Sequence, residues 1–505
     1  MPAGRVPVKR EATIVREAGV SFAGFAVGQL VRFGYTLAAA RLLGVDALGI
    51  YALVTAVVQI GEVVATAGLD AGMLRFVNIR DERARTATVA SALKTSALFS
   101  ATAVLLLLLF SADIAEVFHG GALMRIVLVS ASAAIPFSVM TLLSGHAIQA
   151  CRRLLPKVVA TQLINPLALL LLMVALRYTA GADAALAAPF VPAALLSLFW
   201  IWPKLRNTTG TRLSDVVKAE IDRPVLHFAM PIMAVSLFTM MSHWIDIVML
   251  GFLSDTRTVG LYQPAARTAG LIRAVLLAFS GIAAPMIAEL HGRRQPDELR
   301  KLYGLVTRWI LVIVMLPALL LATLTGQVLG VFGAAFASAG SALVLLTVSA
   351  AVQAYFGLGS TVLAMSGHER LSFVNQALAL LLQALMHMLL IPVMGINGAA
   401  LSTLLVMLLL SAARSIQLRA LFGIEPAGRG IWKPLAAGAV AGTALLSCRP
   451  WLEALPPLPG LLAGAAAGTV IYVVLIGIFR LEQEELDIIF RFMPFLNKEN
   501  RNHVT

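Results

Sequence analysis

The chain has 505 residues, of which 59% are hydrophobic and only 13% are charged. Soluble domains are about half apolar and about a quarter charged, so this composition excludes a soluble globular protein and indicates several membrane crossings. The formal net charge of +13 is explained by cationic loops between apolar segments, so nucleic acid is not an expected partner. The two cysteines fall on opposite sides of the predicted topology and provide neither a disulfide framework nor a metal site.

Fourteen apolar stretches are long enough to span a bilayer. Because only helices satisfy their own backbone hydrogen bonds in lipid, these stretches predict an all-α polytopic membrane protein. The first stretch is too long for a cleavable signal peptide. The predicted spans are approximately residues 17–42, 47–68, 88–110, 123–146, 154–176, 183–203, 225–252, 258–285, 304–328, 339–364, 371–393, 396–416, 431–448 and 458–479.

Lysine and arginine are distributed unequally between the predicted loops. Most of the 39 lie on the side that holds both termini, for example around Arg80, Arg152 and Arg293. The loop 111–116 on the opposite side is acidic and contains neither lysine nor arginine. Since cytoplasmic loops carry the excess of these residues, we expect both termini in the cytoplasm.

Short motifs recur at offsets between 211 and 217 residues. Each repeating unit would contain six helices, an even number, so both copies share one orientation. The sequence therefore predicts a parallel repeat of two pseudo-symmetric six-helix lobes around a central cavity, followed by two extra helices. The matched motifs are Gly49-Ile50-Tyr51 with Gly260-Leu261-Tyr262, Gly181-Ala182-Asp183 with Gly395-Ile396-Asn397, and the loop 149–154 with the loop 366–371.

The repeat divides the chain into six parts. The basic inter-lobe loop is predicted to be either a surface helix on anionic lipid or a solvated tether. The amphipathic stretch 481–492 is predicted to lie at the membrane interface. The parts are a cytoplasmic tail (1–16), the N-terminal lobe (17–203), the inter-lobe loop (204–224), the second lobe (225–420), two extra helices (431–480) and a second cytoplasmic tail (481–505).

Arg32 and Arg267 fall near the middle of the first and eighth spans. A guanidinium at that depth costs about 2.5–3.5 kcal/mol on insertion scales, so it must face a wet cavity or a partner. Neither arginine has an adjacent acid, which favours a cavity that receives an anion, and phosphate suits the paired donors of arginine. Arg273 is a third candidate on another flank of the eighth span. The alternative for all three is a structural arginine bonded to carbonyls or to an acid.

Other polar residues inside the spans leave alternatives open. Gln59 and Glu62 either line the cavity or, in the case of Glu62, neutralise an arginine. His243 and Asp246 share a helix face and either carry a coupling proton or join helices. The remaining polar groups are expected to face sugar hydroxyls or to join helices: Gln162, Asn165, Gln353, Asn375, Gln383 and His387.

The sequence contains no glycine loop for a nucleotide, no nucleophile elbow and no histidines at metal-ligand spacing. It therefore predicts no enzyme, no cofactor and no metal site. Membrane potential or an ion gradient is the energy source that remains.

Several passages resemble the bacterial polysaccharide-export flippases (Wzx-type) of the MOP superfamily. Residues 36–51 resemble the opening signature of that family, and residues 68–76 continue it. Residues 245–251, followed by Val259-Gly260-Leu261-Tyr262, resemble its passage from helix 7 to helix 8. The resemblance covers about the first 420 residues.

Lipid II flippases form a more distant branch of this superfamily. Arg32 falls at the arginine of their Gly-x-x-Arg-Asp passage, where Phe33 replaces the acid, and Arg267 falls at the arginine of their Ala-Asp-Arg-Leu passage. Those arginines are associated with the substrate pyrophosphate. A second-helix arginine of that branch corresponds to Glu62 or a position near it, which argues against lipid II as the substrate.

The resemblance implies a monomeric flippase in the bacterial inner membrane that moves an undecaprenyl-diphosphate-linked oligosaccharide by alternating access. Arg32, Arg267 and Arg273 would hold the pyrophosphate, membrane lipid would take the polyprenyl tail, and polysaccharide polymerase and glycosyltransferases would be partners. The alternative is a cation-coupled multidrug exporter of the same fold, which needs acids at mid-membrane. A scaffold or a membrane glycosyltransferase is a further class, although the outer loops are short for a transferase.

Overall fold

The computed structural model describes residues 8–425 and 431–478, with side chains from residue 23 onward apart from Glu453. Within these ranges the regular elements are helices and no strand occurs, which confirms the predicted all-α class. The first helix begins at Val8, inside the predicted N-terminal tail. The predicted interfacial stretch 481–492 lies outside the described residues.

Fourteen α-helices precede residue 271, and one of the spans contains a π-helix at Val159–Ile164. The α-helices are α1 Val8–Leu42, α2 Val45–Thr66, α3 Leu69–Phe76, α4 Glu82–Leu109, α5 Ser111–Val117, α6 Gly121–Ala133, α7 Ile135–Ala150, α8 Leu155–Val158, α9 Asn165–Thr179, α10 Ala182–Ala187, α11 Phe190–Thr209, α12 Leu213–Lys218, α13 Arg223–Leu253 and α14 Thr256–Gly270.

Ten further α-helices follow in the described part of the chain, together with a 3₁₀-helix at Ala334–Ala339. They are α15 Arg273–Gly292, α16 Pro296–Thr323, α17 Thr325–Gly330, α18 Gly340–Phe356, α19 Leu358–Met365, α20 Glu369–Met394, α21 Ile396–Phe422, α22 Trp432–Ser447, α23 Arg449–Glu453 and α24 Pro457–Ile478.

Twelve helical passages among the described residues are long and apolar enough to cross a membrane. Two of the predicted fourteen spans are not among them. The first coincides with α1, whose apolar sequence is interrupted by Gln29 and Arg32. The thirteenth coincides with α22, which has only 16 residues, whereas a spanning helix needs about 20.

The described chain divides into two compact units. Among the described residues, unit 1 comprises residues 8–268, Phe332–Ala342 and Leu380–Thr403. Unit 2 comprises Ala269–Val331, Leu343–Ala379 and the described residues 404–425 and 431–478.

Small residues determine how the C-terminal helices of unit 2 pack. A Cβ at Gly442 of α22 would lie 2.9 Å from Leu319 of α16, and a Cβ at Gly468 of α24 would lie 2.8 Å from Leu445. Glycine thus lets these helices approach closely, as small residues do in membrane helix pairs. Ala437 and Ala441 complete this apolar cluster.

The predicted inter-lobe loop is held against α4 in unit 1. Lys94 donates from Nζ to the carbonyls of Val217 and Ala219 at 2.9 and 2.8 Å. Asp222 forms an ion pair with Arg80, and its N–H donates to Ser91 Oγ at 2.7 Å. A solvated tether is therefore the wrong alternative. The short α12 instead exposes apolar side chains at Leu213 and Val217, as a surface helix on lipid would.

Candidate functional site

A cavity of about 270 Å³ lies within unit 1, and both mid-span arginines, Arg32 and Arg267, line it. Its walls come from α1, α2, α6, α7, the π-helix, α9, α11 and α14. The other polar groups on the walls include Tyr51, Gln59, Glu62, Ser138 and Asn165. The cavity therefore collects residues that are far apart in the sequence.

The side chain of Gln162 fixes Arg32. Both terminal nitrogens of the guanidinium donate to Gln162 Oε1, at 3.0 and 2.9 Å. The acceptor is a neutral amide, so the positive charge of Arg32 is not cancelled. The guanidinium also retains further N–H donors for an anion.

A glycine on α1 makes room for this pair. A Cβ at Gly28, one turn before Arg32, would lie 2.7 Å from Gln162 Oε1 and 3.1 Å from Arg32 Nη1. It would also lie 2.9 Å from the Gln162 carbonyl oxygen. Only a residue without a side chain permits this approach of α1 to the π-helix.

The π-helix that carries Gln162 has a local cause in the sequence. Pro166 lies two residues after its end, in the first turn of α9. Proline has no N–H, so the carbonyl of Gln162, four residues earlier, loses its α-helical hydrogen bond. Single π-turns of this kind are frequent at functional sites because they shift the side chains that follow.

Arg267 lies beside an aromatic ring. Its guanidinium carbon is 5.6 Å from the ring centroid of Trp244, which is within the range of a cation–π contact. Trp244 is buried and donates from Nε1 to Gln59 Oε1 at 3.3 Å. The charges of Arg32 and Arg267 act on one another, and Tyr51 interacts with both. Two cations and a phenol hydroxyl thus face one cavity, an arrangement that can bind an anion.

Glu62 is the one acidic residue among the described residues that line the cavity. Its carboxyl shares a hydrogen bond with Ser138 of α7. The described hydrogen bond of Glu62 therefore goes to a hydroxyl and not to a guanidinium. Of the two alternatives that the sequence left open, the cavity-lining position is the one observed.

Three of the sequence-predicted site residues lie in unit 2. Arg273 begins α15, is exposed, and folds its guanidinium back beside Gly270. Asn375 and Gln417 exchange two amide hydrogen bonds of 2.7 and 2.9 Å, so Asn375 joins α20 to α21. Gln353 is half-buried in α18. None of the three is among the residues that line the cavity in unit 1.

The candidate coupling residues Asp246 and His243 lie on α13 in unit 1. Asp246 accepts a hydrogen bond from the Tyr262 hydroxyl at 3.2 Å and interacts electrostatically with His387. His387 is completely buried in α20. His243 is exposed, and its ring meets the edge of Trp244. Asp246 on α13 therefore interacts with residues of two other helices, Tyr262 of α14 and His387 of α20.

Gln383 lies one turn before His387 on α20. It donates to the Thr403 hydroxyl at 3.4 Å, which connects α20 to α21.

Sequence reasoning missed several residues. Tyr51 appeared only as part of a repeated motif, and Trp244 was not singled out. Arg414 is almost completely buried in α21 of unit 2 and donates to Gln376 at 3.5 Å. Arg414 lies two residues before the end of the predicted span 396–416, so the criterion that selected Arg32, an arginine near the middle of an apolar span, did not select it.

Comparison with known proteins gives one family match and one curated relative. Residues 14–291, more than half of the chain, match the family model described as polysaccharide biosynthesis protein. The probable flippase AglR of Haloferax volcanii is 31% identical over 172 residues, which make up 33% of this chain and 36% of AglR. The chain thus aligns with only about a third of the length of that relative.

Solved structures with the same fold cover most of the chain. The lipid II flippase MurJ, in an inward closed conformation, matches with a TM-score of 0.75 at 12% identity over 93% of this chain and 99% of MurJ. A multidrug resistance MATE family transporter of the MOP superfamily, in an inward-facing conformation, matches with a TM-score of 0.64 at 14% identity. That match covers 78% of this chain and 98% of the transporter. At these identities the likeness shows the fold alone.

Proposed function

The chain belongs to the polysaccharide biosynthesis protein family, and from that premise we propose that it is a flippase for an undecaprenyl-diphosphate-linked oligosaccharide. It moves this lipid-linked glycan across the bacterial cytoplasmic membrane by alternating access, for the synthesis of a surface polysaccharide. It transports its substrate without altering it covalently. The observation that carries the proposal is the pair Arg32 and Arg267 in one cavity.

The chemistry of the cavity suits a diphosphate. Guanidinium groups bind phosphate oxygens through paired, charge-assisted N–H donors. Gln162 and Trp244 hold the two arginines through a neutral acceptor and a ring face, so neither contact cancels their charge. In a low-dielectric environment two such charges attract an anion more strongly than they would in water.

The cavity volume indicates which part of the substrate it takes. About 270 Å³ is below the range of about 300–1,000 Å³ that holds a drug-sized ligand. In the described conformation the cavity therefore takes the diphosphate and the atoms next to it. Larger openings would be needed for the glycan, while the polyprenyl tail remains in lipid.

The remaining parts of the proposal, which concern topology, oligomeric state, partners and further site residues, are those that the sequence predicts. We propose fourteen spans in two six-helix lobes with two extra helices, both termini in the cytoplasm, and a monomeric protein. Glycosyltransferases and a polysaccharide polymerase act before and after it. Arg273 remains a proposed pyrophosphate contact, and Asp246 with His243 remains the proposed coupling pair. Gln59, Gln162 and Asn165 are proposed to contact the substrate near its phosphates.

A cation-coupled multidrug exporter is the second candidate, since a MATE transporter shares the fold. Such an exporter needs acidic groups that bind its cations. The described lining of the cavity offers Glu62 against two arginines, which favours an anionic substrate.

The test uses a strain that lacks the chromosomal copy and carries plasmid-borne variants. Arg267→Ala should abolish surface polysaccharide at an unchanged protein level, because it removes one of the two cations of the cavity. The matched control is Arg293→Ala, which removes an exposed arginine paired with Glu289. Normal polysaccharide in the Arg267→Ala strain would overturn the assignment of the site, whereas normal polysaccharide in the strain without any copy would overturn the function.

A further inference from the structure

The starts of α2 and α14 meet through equivalent positions of the predicted repeat. Asp46 and Arg257, which are 211 positions apart, form an ion pair at 3.3 Å. Gly49 and Gly260, separated by the same interval, also lie against each other: a Cβ on Gly260 would lie 3.1 Å from the Gly49 nitrogen. Both pairs belong to unit 1.

The contact is also reciprocal. A Cβ on Gly49 would lie 1.8 Å from the carbonyl oxygen of Thr256. A Cβ on Gly260 would lie 2.0 Å from the carbonyl oxygen of Val45, the position that corresponds to Thr256 at the same interval. In a two-fold contact, residue i of one copy touches residue j of the other, and j touches i. The contact therefore has the pattern expected on the pseudo-two-fold axis of the repeat.

Two features allow α2 and α14 to separate at this contact. First, the two helix backbones can approach each other only because Gly49 and Gly260 have no side chains. Second, the ion pair is exposed, since the side chains of Asp46 and Arg257 are each more than half accessible. Exposed ion pairs hold helices only weakly. On α14, Pro264 follows Gly260 by one turn and removes the helical hydrogen bond to the Gly260 carbonyl, so the helix bends there more easily.

We infer that the contact of Gly49 with Gly260 is the extracytoplasmic gate of the anion cavity. The inference rests on the proposed flippase function and topology. Tyr51 follows Gly49 by two residues, and Arg267 follows Gly260 by two turns; both line the cavity. Separation of α2 from α14 therefore opens the outer side and draws apart two groups that face the anion. Gate opening and anion release become one movement.

The first experiment locks the gate with a disulfide. In a background of Cys151→Ser and Cys448→Ser, cysteines replace Asp46 and Arg257. Oxidation should stop polysaccharide export, and a reductant should restore it. The matched control places cysteines at Ser341 and Asn397, whose side chains hydrogen-bond at 2.8 Å at the starts of α18 and α21 within the predicted second lobe. Undiminished export with the Asp46–Arg257 disulfide formed would overturn the inference.

The second experiment holds the gate open and requires no substrate. Val259→Cys places a thiol at a completely buried position beside Gly260. Gly49→Ala or Gly260→Ala should raise its labelling by a membrane-impermeant maleimide several-fold, because the added Cβ prevents closure. Gly281→Ala, whose Cβ would meet nothing within 4 Å, should leave the labelling unchanged. Unchanged labelling in both gate variants would contradict the inference.

The two proposals fail in different ways. If the labelling responds as expected and the variants of Arg32 and Arg267 export normally, the gate stands and the anion site fails. If export depends on the arginines and neither the disulfide nor the alanines have an effect, the flippase proposal stands and the gate fails.

Discussion

The hydrogen bonds of Arg32 to Gln162 leave the positive charge of the guanidinium uncancelled. Arg32 donates to the neutral amide oxygen of Gln162, whereas an acid in that place would pair with the guanidinium and neutralise it. The carboxyl that lines the same cavity, Glu62, hydrogen-bonds to Ser138. The identity of residue 162 therefore controls how much positive charge the cavity presents.

Gln162→Glu should weaken the binding of inorganic pyrophosphate to the purified protein by about tenfold or more, because the new carboxylate pairs with Arg32 and repels the anion. Gln162→Leu is the matched control, since it removes the acceptor without adding a negative charge, and it should weaken binding less. Titration calorimetry measures both. Equal affinities of the glutamate and leucine variants would show that the charge at this position does not matter.

Gly28→Ala should destabilise the protein by about 1–3 kcal/mol, the usual cost of a group that does not fit, because its Cβ would lie 2.7 Å from Gln162 Oε1. Gly34→Ala on the same helix is the control. Its Cβ would have its nearest neighbour at 3.9 Å, so it should be neutral or slightly stabilising. Thermal unfolding in one detergent compares the two variants, and equal effects would contradict the packing argument.

At the level of the elements, the sequence predicted well where the spans lie. It predicted poorly where the regular helix within a span is interrupted. The apolar stretches located the spans because hydrocarbon thickness fixes helix length. The mid-span positions of Arg32 and Arg267 were visible for the same reason. The π-helix before Pro166 was not visible, since proline marks an interruption without saying how the backbone accommodates it. Trp244, Tyr51 and Ser138 were missed because apolar or hydroxyl side chains in a span give no signal until a cavity gathers them.

The structure of the loop between residues 204 and 224 could not be predicted from the sequence either. Its basic composition was compatible with a tether or a surface helix, and the decision depends on Lys94, which lies more than a hundred residues away. Lys94→Met should release the loop, because a methionine cannot donate to the two carbonyls. In membrane vesicles whose cytoplasmic face is accessible to the protease, trypsin should then cleave several-fold faster at Arg212 and Lys218.

The control for this element is Lys301→Met, which removes an exposed lysine paired with Glu298. It should leave cleavage at Arg212 and Lys218 unchanged. Wild-type cleavage rates in Lys94→Met would mean that other contacts, such as the ion pair of Arg80 with Asp222, hold the loop without help.

At the scale of the whole molecule, the charge distribution predicts the orientation in the membrane. Because lysine and arginine are concentrated on the side of the termini, a reporter enzyme fused after Thr505 should be active only if it functions in the cytoplasm. A phosphatase that requires the extracytoplasmic side should be inactive at the same fusion point. The reverse result would invert the topology and with it the side assigned to the gate.

The proposed function depends on the cavity that holds Arg32 and Arg267, and the binding of inorganic pyrophosphate to the purified protein tests that cavity directly. Hydrogen bonds to charged groups contribute about 1.5–3 kcal/mol each. Replacing both arginines by alanine should therefore lower the affinity for pyrophosphate by a factor of about 100 or more. If the double variant binds pyrophosphate as tightly as the wild type, or if the wild type does not bind it, the anion site is refuted.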